Sequence, residues 1–406
     1  MSWTDFSINS VAEVVTKGTT PTTYGMPFTE EGVNFIKAEA LNGDATLDNN
    51  GFTYISEDTH EKLKRSQLCV NDVLITIAGA NVGKCGIVRE QHIPANTNQA
   101  VGIIRVDPKK ASPRFIYYCF KNPRTFAVCQ GMGGQAAQPN INLTVLKSFV
   151  FSGPENPEEQ EKIAELIAKY DDLIENNRRR IQLLEESARL LYQEWFVHLR
   201  FPGHEQVTVT DGVPDGWIQS SIGEESSYLN RGIAPKYSED GEFIVINQKC
   251  IRNRVLSLEL ARKQSKEFKE EKTVRIGDVL INSTGTGTLG RVAQVWEEFE
   301  KVCVDTHVTI VRPAKDVPYL WLGYCLLGME RRLEDMGEGA TNQKELKRQH
   351  VADIPILRPP NTLMELFHNN IIDNTKQIQN LIKMNKFLSQ ARDLLLPKLM
   401  SGELTI

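Results

Sequence analysis

The 406-residue sequence lacks the features that mark several classes of protein. It has no run of about 18 apolar residues, and its start, MSWTDFSINS, has no basic stretch followed by an apolar one. We therefore expect neither a membrane span nor a secretory signal. The seven cysteines form no CxxC pair and leave an odd one over, which favours reduced, buried thiols over disulfides or a zinc site. With 40% hydrophobic and 24% charged residues, the chain is expected to be a cytoplasmic globular protein of two or three domains.

Catalytic motifs are also scarce. The seven histidines form no HxxxH or HExxH pattern, and neither GxSxG nor the Asn-Pro-Pro-aromatic motif of amino-methyltransferases occurs. The GTGTLG at residues 285–290 matches a dinucleotide-binding pattern, but the residues after it alternate like a strand instead of opening a helix. The GANVGKC at residues 79–85 resembles a phosphate loop, yet it is one residue short and has Cys85 where Ser or Thr would bind magnesium. We interpret both as glycine-rich turns, which also bring backbone close to a ligand.

An internal repeat organises the chain. The segment WTDFSI at Trp3 corresponds to WIQSSI at Trp217, and GTTP at Gly18 corresponds to GIAP at Gly232, both at an offset of 214 residues. Later landmarks recur in the same order, including DVLI at residues 72–75 and 278–281, and the segments that begin at residues 134 and 339. The repeat predicts a block at 1–154, a helical spacer and linker at 155–212, a second block at 213–360 and a second spacer at 361–406.

Each block is predicted to be mixed α/β. Short β-branched runs such as VLITI at residues 73–77 and VTIVR at 308–312 alternate with turn residues and predict strands. Residues 112–128 and 319–336 carry apolar side chains three and four apart and predict a helix in each block.

The spacers show heptad repeats, which predict a coiled coil. The apolar seam comprises Ile163, Ile167, Tyr170, Ile174, Ile181, Leu184 and Leu191 in the first spacer, and Ile371, Ile378, Leu381, Leu388 and Leu395 in the second. Polar residues at Asn177, Asn385 and Arg392 share the stripe and are of the kind that fixes register. We expect two helices of about 40 residues, about 60 Å long, that pair antiparallel within the chain. Two separate coiled coils, each recruiting another protein, are the alternative.

Antiparallel pairing would leave two similar blocks at the two ends of a stiff spacer. This is the geometry of a protein that recognises two half-sites on a DNA duplex. The net charge of −5 argues against an isolated DNA-binding module, but the acidic excess lies in residues 155–212, which hold 7 basic and 13 acidic residues. The blocks themselves are nearly neutral, so their contact faces must be locally basic, or a partner must supply much of the attraction for phosphate. The run NNRRR at residues 176–180 favours a solvated helix face, with partner docking or phosphate contact as the alternative.

Candidates for base recognition are polar side chains near the predicted turns. Asn and Gln pair bidentately with adenine, and Arg or Lys with guanine. The set is Asn81, Lys84, Gln99, Gln135, Gln138 and Asn140 in the first block, and Arg291, His307, Asn342, Gln343 and Lys344 in the second.

The order of these landmarks resembles the DNA specificity subunit of type I restriction-modification systems. The elements that carry the resemblance are NDVLITIAGANVGK and GDVLINSTGTGTLG, NQAVGIIRV and THVTIVRP, QPNINLTVLKSF, PEEQEKIAELI and the closing LLPKLMSGEL. Cys85, the Phe-rich SFVFSGP and PPNTLMELF, which replaces the usual Glu-Gln helix opening, depart from the family pattern.

The resemblance implies a non-catalytic subunit in which each block is a target recognition domain for one half of a bipartite, gapped site. It also implies that two methyltransferase subunits dock on this chain and use S-adenosylmethionine to methylate an adenine at N6 after flipping it from the duplex. Restriction subunits that use ATP and Mg²⁺ are further possible partners, and this chain itself is expected to bind no cofactor. The alternative function is a coiled-coil interaction scaffold without DNA specificity.

Overall fold

The computed structural model describes residues 2–43, 47–79, 81–131, 140–339 and 344–404. The chain folds into two units. Unit 1 comprises residues 1–179 and 382–406, and unit 2 comprises residues 180–381. In the described part of the chain, no helix is both long enough and apolar enough to cross a membrane.

The described residues of unit 1 form nine strands and five short helices before a long one. The strands are β1 Trp3–Ser7, β2 Ala12–Lys17, β3 Val33–Ile36, β4 Phe52–Ile55, β5 Val73–Thr76, β6 Cys85–Ile87, β7 Ala95–Thr97, β8 Val101–Val106 and β9 Val150–Pro154. The helices are α1 Ile8–Val11, α2 Glu57–Lys62, α3 Pro113–Lys121, α4 Pro123–Gly131, α5 Leu143–Ser148 and α6 Pro157–Tyr192, of which α6 continues into unit 2.

Unit 2 has an equivalent set of elements with additional short strands. The strands are β10 Val209–Thr210, β11 Val213–Pro214, β12 Ile218–Ser221, β13 Ser226–Arg231, β14 Phe243–Ile246, β15 Ile251–Arg252, β16 Val255–Leu256, β17 Arg262–Gln264, β18 Val279–Asn282, β19 Val292–Gln294, β20 Val302–Val304, β21 Val308–Pro313 and β22 Pro355–Arg358. The helices are α7 Tyr319–Leu327, α8 Glu330–Asp335, α9 Arg348–Ala352 and α10 Asn361–Met400, and a π-helical turn, Gln193–Val197, extends α6.

The two units share one topology. A four-stranded antiparallel sheet has the order β2-β8-β5-β6 in unit 1 and β13-β21-β18-β19 in unit 2. A three-stranded mixed sheet has the order β4-β3-β7 or β17-β14-β20, and a two-stranded sheet pairs β1 with β9 or β12 with β22. The predicted fold class, mixed α/β with a tandem repeat and two long helices, is confirmed.

A buried ion pair marks equivalent positions in the two sheets. The guanidinium of Arg105 bonds both carboxylate oxygens of Asp72 at 2.8 Å, and Arg312 bonds those of Asp278 at 2.7 and 2.8 Å. Both carboxylates are fully buried. Burial raises the pKa of Asp278, and Arg312 opposes that rise. The DVLI segments of the repeat are therefore fixed to the neighbouring strand by the same contact in each unit.

Each of the two predicted block helices is divided into two. In unit 1, α3 ends at Lys121 and α4 begins at Pro123, because proline lacks the N–H of a continuing helix and holds Asn122 in an extended conformation with ψ 129°. In unit 2, α7 ends at Leu327 and α8 begins at Glu330. The predictions of one continuous helix over 112–128 and 319–336 were wrong in this detail.

The long helices pack against each other within each unit. In unit 1, Ile163 and Ile167 of α6 share a core with Leu396 and Leu399 of α10, and α3 contributes Phe115. In unit 2, Trp195 of the π-helical turn that extends α6 packs edge to face against Phe367 of α10, with ring centroids 6.0 Å apart. All twelve predicted seam residues are buried or half-buried: Ile163, Ile167, Tyr170, Ile174, Ile181, Leu184, Leu191, Ile371, Ile378, Leu381, Leu388 and Leu395.

Polar contacts show that the helices run antiparallel in unit 1. The side-chain amide of Asn177 donates to Asn385 at 2.9 Å, and Arg392 bonds Asp171 at 2.7 Å. The partner on α10 thus moves towards the C-terminus as the residue on α6 moves towards the N-terminus. The polar positions noted in the heptad stripe are paired across the helices, as a register-fixing role requires.

Asp171 is the centre of a buried ionic network. Its carboxylate accepts from the Tyr118 hydroxyl at 2.9 Å and Lys121 at 3.0 Å, as well as from Arg392. Burial opposes ionisation of Asp171, but Lys121 and Arg392 outweigh it and lower its pKa. Because Lys121 lies on α3, this network joins the first block to both long helices within unit 1.

We expect Asp171→Asn to destabilise unit 1 by about 3 kcal/mol, because it leaves the nearly buried Lys121 without a counter-ion and leaves Arg392 with only the exposed carboxylate of Asp393. Hydrogen exchange of α3 and the first turns of α6 measures this loss. The control is Asp172→Asn, which removes an exposed carboxylate paired with Arg89 at 3.4 Å and is expected to cost less than about 1 kcal/mol. Equal effects of the two substitutions would contradict the role assigned to Asp171.

Candidate nucleic-acid interface

Three loop segments meet in unit 1 at one end of the four-stranded sheet. The backbone N–H of Ile77, after β5, donates to Ala100 at 2.8 Å, and Ile141 donates to Ile77 at 2.8 Å. The turn between β5 and β6 is closed by the N–H of Thr76 donating to Lys84 at 2.8 Å. We call the described residues among 77–84, 98–100 and 140–141 the unit 1 loop cluster.

Unit 2 contains three equivalent backbone hydrogen bonds. Ser283 donates to the carbonyl of His307 at 2.8 Å, Leu346 donates to Ser283 at 2.8 Å, and Asn282 donates to Arg291 at 2.9 Å. We call residues 283–291, 305–307 and 344–346 the unit 2 loop cluster. The two clusters arise from three sequence segments that lie far apart in each block and that the sheet brings together.

The hydrogen bonds place Lys84 and Arg291 at the same position of the two turns. Each follows a glycine in the left-handed region, Gly83 with φ 85° and Gly290 with φ 79°. A side chain at Gly290 would also meet the backbone of Glu334 at 2.5 Å, so this turn needs glycine for space as well as for conformation. One long cationic side chain is therefore presented from the same point of each turn.

The clusters bring together most of the predicted base-recognition residues. Asn81 and Lys84 are half-buried in the unit 1 turn, and Gln99 and Asn140 are exposed beside it. In unit 2, Arg291 is half-buried, and His307 and Lys344 are exposed. The remaining candidates, Gln135, Gln138, Asn342 and Gln343, lie outside the described residues. The assignment of these side chains to bases stays a prediction.

The side chains of the clusters keep hydrogen-bonding capacity for a ligand. Neither the Lys84 nor the Lys344 side chain has a hydrogen bond or an ion pair in the described part of the chain. Arg291 donates through one Nη to the Gly287 carbonyl at 2.7 Å. The Nδ1 of His307 lies 2.6 Å from the Thr284 hydroxyl, and its backbone N–H donates to Asp305 at 2.9 Å. Cationic and imidazole groups held on closed turns suit contact with phosphates and base edges.

Arg231 was not among the site residues predicted from the sequence. Its guanidinium bonds the carboxylate of Glu345 and donates to the Leu346 carbonyl at 2.7 Å, which anchors the third segment of the unit 2 cluster. Lys17 occupies the matching position of β2, since Lys17 faces Gly102 and Arg231 faces Thr309 in the two sheets. The repeat offered a signal, because a basic residue precedes both Gly18 and Gly232.

Among the described residues, no group of three or more His, Cys, Asp or Glu side chains is arranged so that it could hold a metal ion. Six of the seven cysteines are buried and Cys69 is exposed, all as free thiols. Burial raises the pKa of Cys85, the residue at the magnesium position of the phosphate-loop-like segment, to about 12. Cys85 is thus a neutral core residue, in agreement with the interpretation of that segment as a turn.

Comparison with known proteins identifies relatives of this chain. Residues 1–186 match the family model of the type I restriction modification DNA specificity domain. The type I restriction enzyme MjaIX specificity subunit of Methanocaldococcus jannaschii is 25% identical over 425 aligned positions, which cover 100% of this chain and 94% of that protein. The HindI specificity subunit of Haemophilus influenzae is 22% identical over 66% of this chain and 71% of its own length.

A solved structure shares the fold. The type I restriction-modification S subunit from M. genitalium matches with a TM-score of 0.61 and 16% identity, covering 98% of this chain and 96% of that one. This match concerns the fold alone.

Proposed function

We infer from this relationship that the chain is a DNA specificity subunit of a type I restriction-modification system, without catalytic activity of its own. We propose that it recognises a bipartite, gapped site on double-stranded DNA, one half-site per unit. The observation that carries the proposal is the duplicated loop cluster, built from the same hydrogen bonds in both units. Two equivalent surfaces in one chain match a target with two separate halves.

Within each half-site, the turn residues provide direct base recognition. Lys84 and Arg291 are long enough to reach a base edge in the major groove, where a cationic side chain pairs with guanine. Gln99 and Asn140 offer amide groups suited to adenine. Because the two clusters share equivalent backbone hydrogen bonds but differ in almost every side chain, the two half-sites are expected to differ in sequence.

The paired long helices act as the spacer between the half-sites. Both α6 and α10 contribute residues to both units, so their length enters the covalent path between the two loop clusters. The Asn177–Asn385 and Asp171–Arg392 contacts oppose sliding of one helix along the other. A fixed register would keep the number of base pairs in the gap constant.

Exposed apolar residues on the helices provide docking surfaces for two methyltransferase subunits. Leu183 and Leu190 of α6 and Val197 of the π-helical turn recur every seven residues in unit 2, and Phe387 and Leu394 of α10 do so in unit 1; all are between 46% and 70% exposed. An offset of 204 residues relates Leu183 to Phe387 and Leu190 to Leu394. A surface that occurs once per repeat fits two copies of one partner. Those partners would bring S-adenosylmethionine, and restriction subunits, where present, would bring ATP and Mg²⁺.

We expect modified-base sequencing of host DNA to detect a gapped adenine-methylation motif that vanishes when this gene is deleted. Restoring the gene on a plasmid should restore the same motif, and this serves as the control. If the methyltransferase is expressed and no motif depends on the gene, the proposal fails, and an interaction scaffold without DNA specificity becomes the better account.

A further inference from the structure

Each unit exposes a tyrosine on a loop that begins beside its loop cluster. Tyr24 follows Gly18 and Pro21 in unit 1, and Tyr237 follows Gly232 and Pro235 at the matching place in unit 2. The side chains are 66% and 41% exposed, so neither serves the core. A large, exposed aromatic side chain that recurs in equivalent loops indicates a function at the surface.

The tyrosine loops are fixed against the loop clusters by close backbone packing. A side chain at Gly18 would lie 2.2 Å from the Asn98 carbonyl oxygen, and one at Gly232 would lie 1.8 Å from that of Val304. The N–H that follows each glycine bonds the same segment at 2.9 Å, from Thr19 to Thr97 and from Ile233 to Val304. The start of each tyrosine loop is therefore fixed beside its own loop cluster.

In unit 2 the tyrosine is combined with basic residues on an edge strand. The guanidinium of Arg262 lies 3.6 Å from the centre of the Tyr237 ring. Residues around Tyr237 pair with β17, and Ser238 donates to the Lys263 carbonyl at 3.2 Å. We call Lys236, Tyr237, Arg262 and Lys263 the Tyr237 patch.

The cations of the Tyr237 patch are exposed and available to a ligand. All four side chains are exposed, and none of its three cations has an ion pair in the part of the chain that the structure describes. Tyr237, Arg262 and Lys263 line a shallow pocket of about 480 Å³, with Ser238 and Glu239 at its edge. The tyrosine ring orients the guanidinium without using its N–H donors, which remain available to an anion.

Unit 1 has a counterpart whose cations come from other elements. Tyr24, Lys62 and Arg65 line a pocket of about 400 Å³ together with Thr19, Met26 and Leu63. Arg65 donates one hydrogen bond to the Thr19 hydroxyl at 3.1 Å, and Lys62 pairs with the exposed Asp58 at 2.6 Å. The aromatic position is thus repeated, although the residues that supply positive charge are not.

We propose that the Tyr237 patch and its unit 1 counterpart bind phosphates of the DNA backbone beside each half-site. This inference rests on the proposed function. A chain with a net charge of −5 needs locally basic faces to hold DNA, and a basic patch in each unit would help to keep the duplex against the base-recognising turns. Arginine binds phosphate through paired N–H donors, and the hydroxyl of an exposed tyrosine adds a further donor. These contacts contribute affinity and leave sequence preference to the loop clusters.

The test measures DNA binding by the full-length chain in complex with its methyltransferase over a range of salt concentrations. The variant is Arg262→Gln combined with Lys263→Gln, and the probes are a duplex with the methylated motif and a scrambled duplex. Loss of two phosphate contacts should reduce the slope of log affinity against log salt by about 2 and weaken binding roughly 30-fold at about 0.15 M salt. The ratio between motif and scrambled duplex should stay within about twofold.

The matched control is Lys315→Gln. Lys315 is exposed and follows β21, whereas the loop cluster precedes that strand, so this variant removes a charge of unit 2 away from the patch. If the double variant has the same salt slope as this control, the inference is overturned. The proposed function would still stand in that case, provided that the wild-type complex binds the motif specifically. A changed preference for bases would also overturn it, since the patch would then read sequence. Absence of specific binding by the wild-type complex would overturn both proposals.

Discussion

Replacing residues 1–154 with the first block of a related specificity subunit is expected to change one half of the methylated site and to leave the other half unchanged. All three segments of the unit 1 loop cluster lie within these residues, whereas those of unit 2 lie between 283 and 346. The junction falls between β9, which ends at Pro154, and α6, which begins at Pro157, so both elements stay intact.

The exchanged block must still pack on the long helices. Phe115 and Phe120 of α3 share a core with Ile163 of α6 and Leu396 of α10, so the donor needs apolar residues at the two aromatic positions. Co-purification with the methyltransferase shows that the chimaera assembles, and modified-base sequencing gives its site. The reciprocal exchange of residues 213–360 is the control and should change the opposite half.

A chimaera that assembles and methylates the original site would contradict the assignment of one half-site to each unit. A change in both halves would contradict it as well, because it would mean that the blocks recognise DNA jointly. The expected effect is qualitative, since each mismatched base pair in a specific site costs about 1–3 kcal/mol and several positions change together.

The local pattern of the sequence was sufficient to predict the central strands and the long helices. Val73–Thr76 and Val279–Asn282 are fully buried four-residue runs, and burial on both faces produces the continuous apolar pattern that predicts a strand. The seam residues of α6 and α10 repeat with the period of a helix over many turns, which makes their signal strong. The repeat then predicted two similar blocks, each followed by a long helix.

Local sequence patterns could not predict the contacts between distant segments. In the sequence, Asp171 is one of several charged residues in an acidic stretch and has no distinguishing pattern. Its contacts with Lys121 and Arg392 arise only in the folded chain. The division between α3 and α4 was more accessible, because Pro123 is a helix-breaking residue inside the predicted helix.

The candidate site was predicted only in part, because local patterns do not show which distant segments come together. Turn residues such as Lys84 and Arg291 were chosen because they flank glycine-rich turns, but their equivalence follows from hydrogen bonds and not from the sequence offset, which drifts along the repeat. Tyr24 and Tyr237 were missed because an isolated aromatic residue after a Gly–Pro loop gives no periodic signal, and its exposure appears only in the structure.

Inserting one heptad into both long helices is expected to lengthen the gap of the methylated site by about three base pairs. The insertions follow Arg179 in α6 and precede Ile382 in α10, adjacent to the Asn177–Asn385 contact. Both helices must grow, because antiparallel partners stay in register only if each gains the same seven residues. Seven residues add about 10 Å of helix, and successive base pairs rise about 3.4 Å along the duplex.

The half-sites should remain the same, because both loop clusters lie outside the inserted turns. A heptad also rotates the downstream helix by nearly two whole turns, so the seam is preserved and the added residues continue the apolar stripe. The control inserts seven residues after Gly203, an exposed residue in the connection between α6 and β10, and is expected to leave the gap unchanged. Modified-base sequencing measures both variants. An unchanged gap in an active double-insertion variant would show that the helices do not set the spacing, and a lengthened gap in the control would show that the connection does.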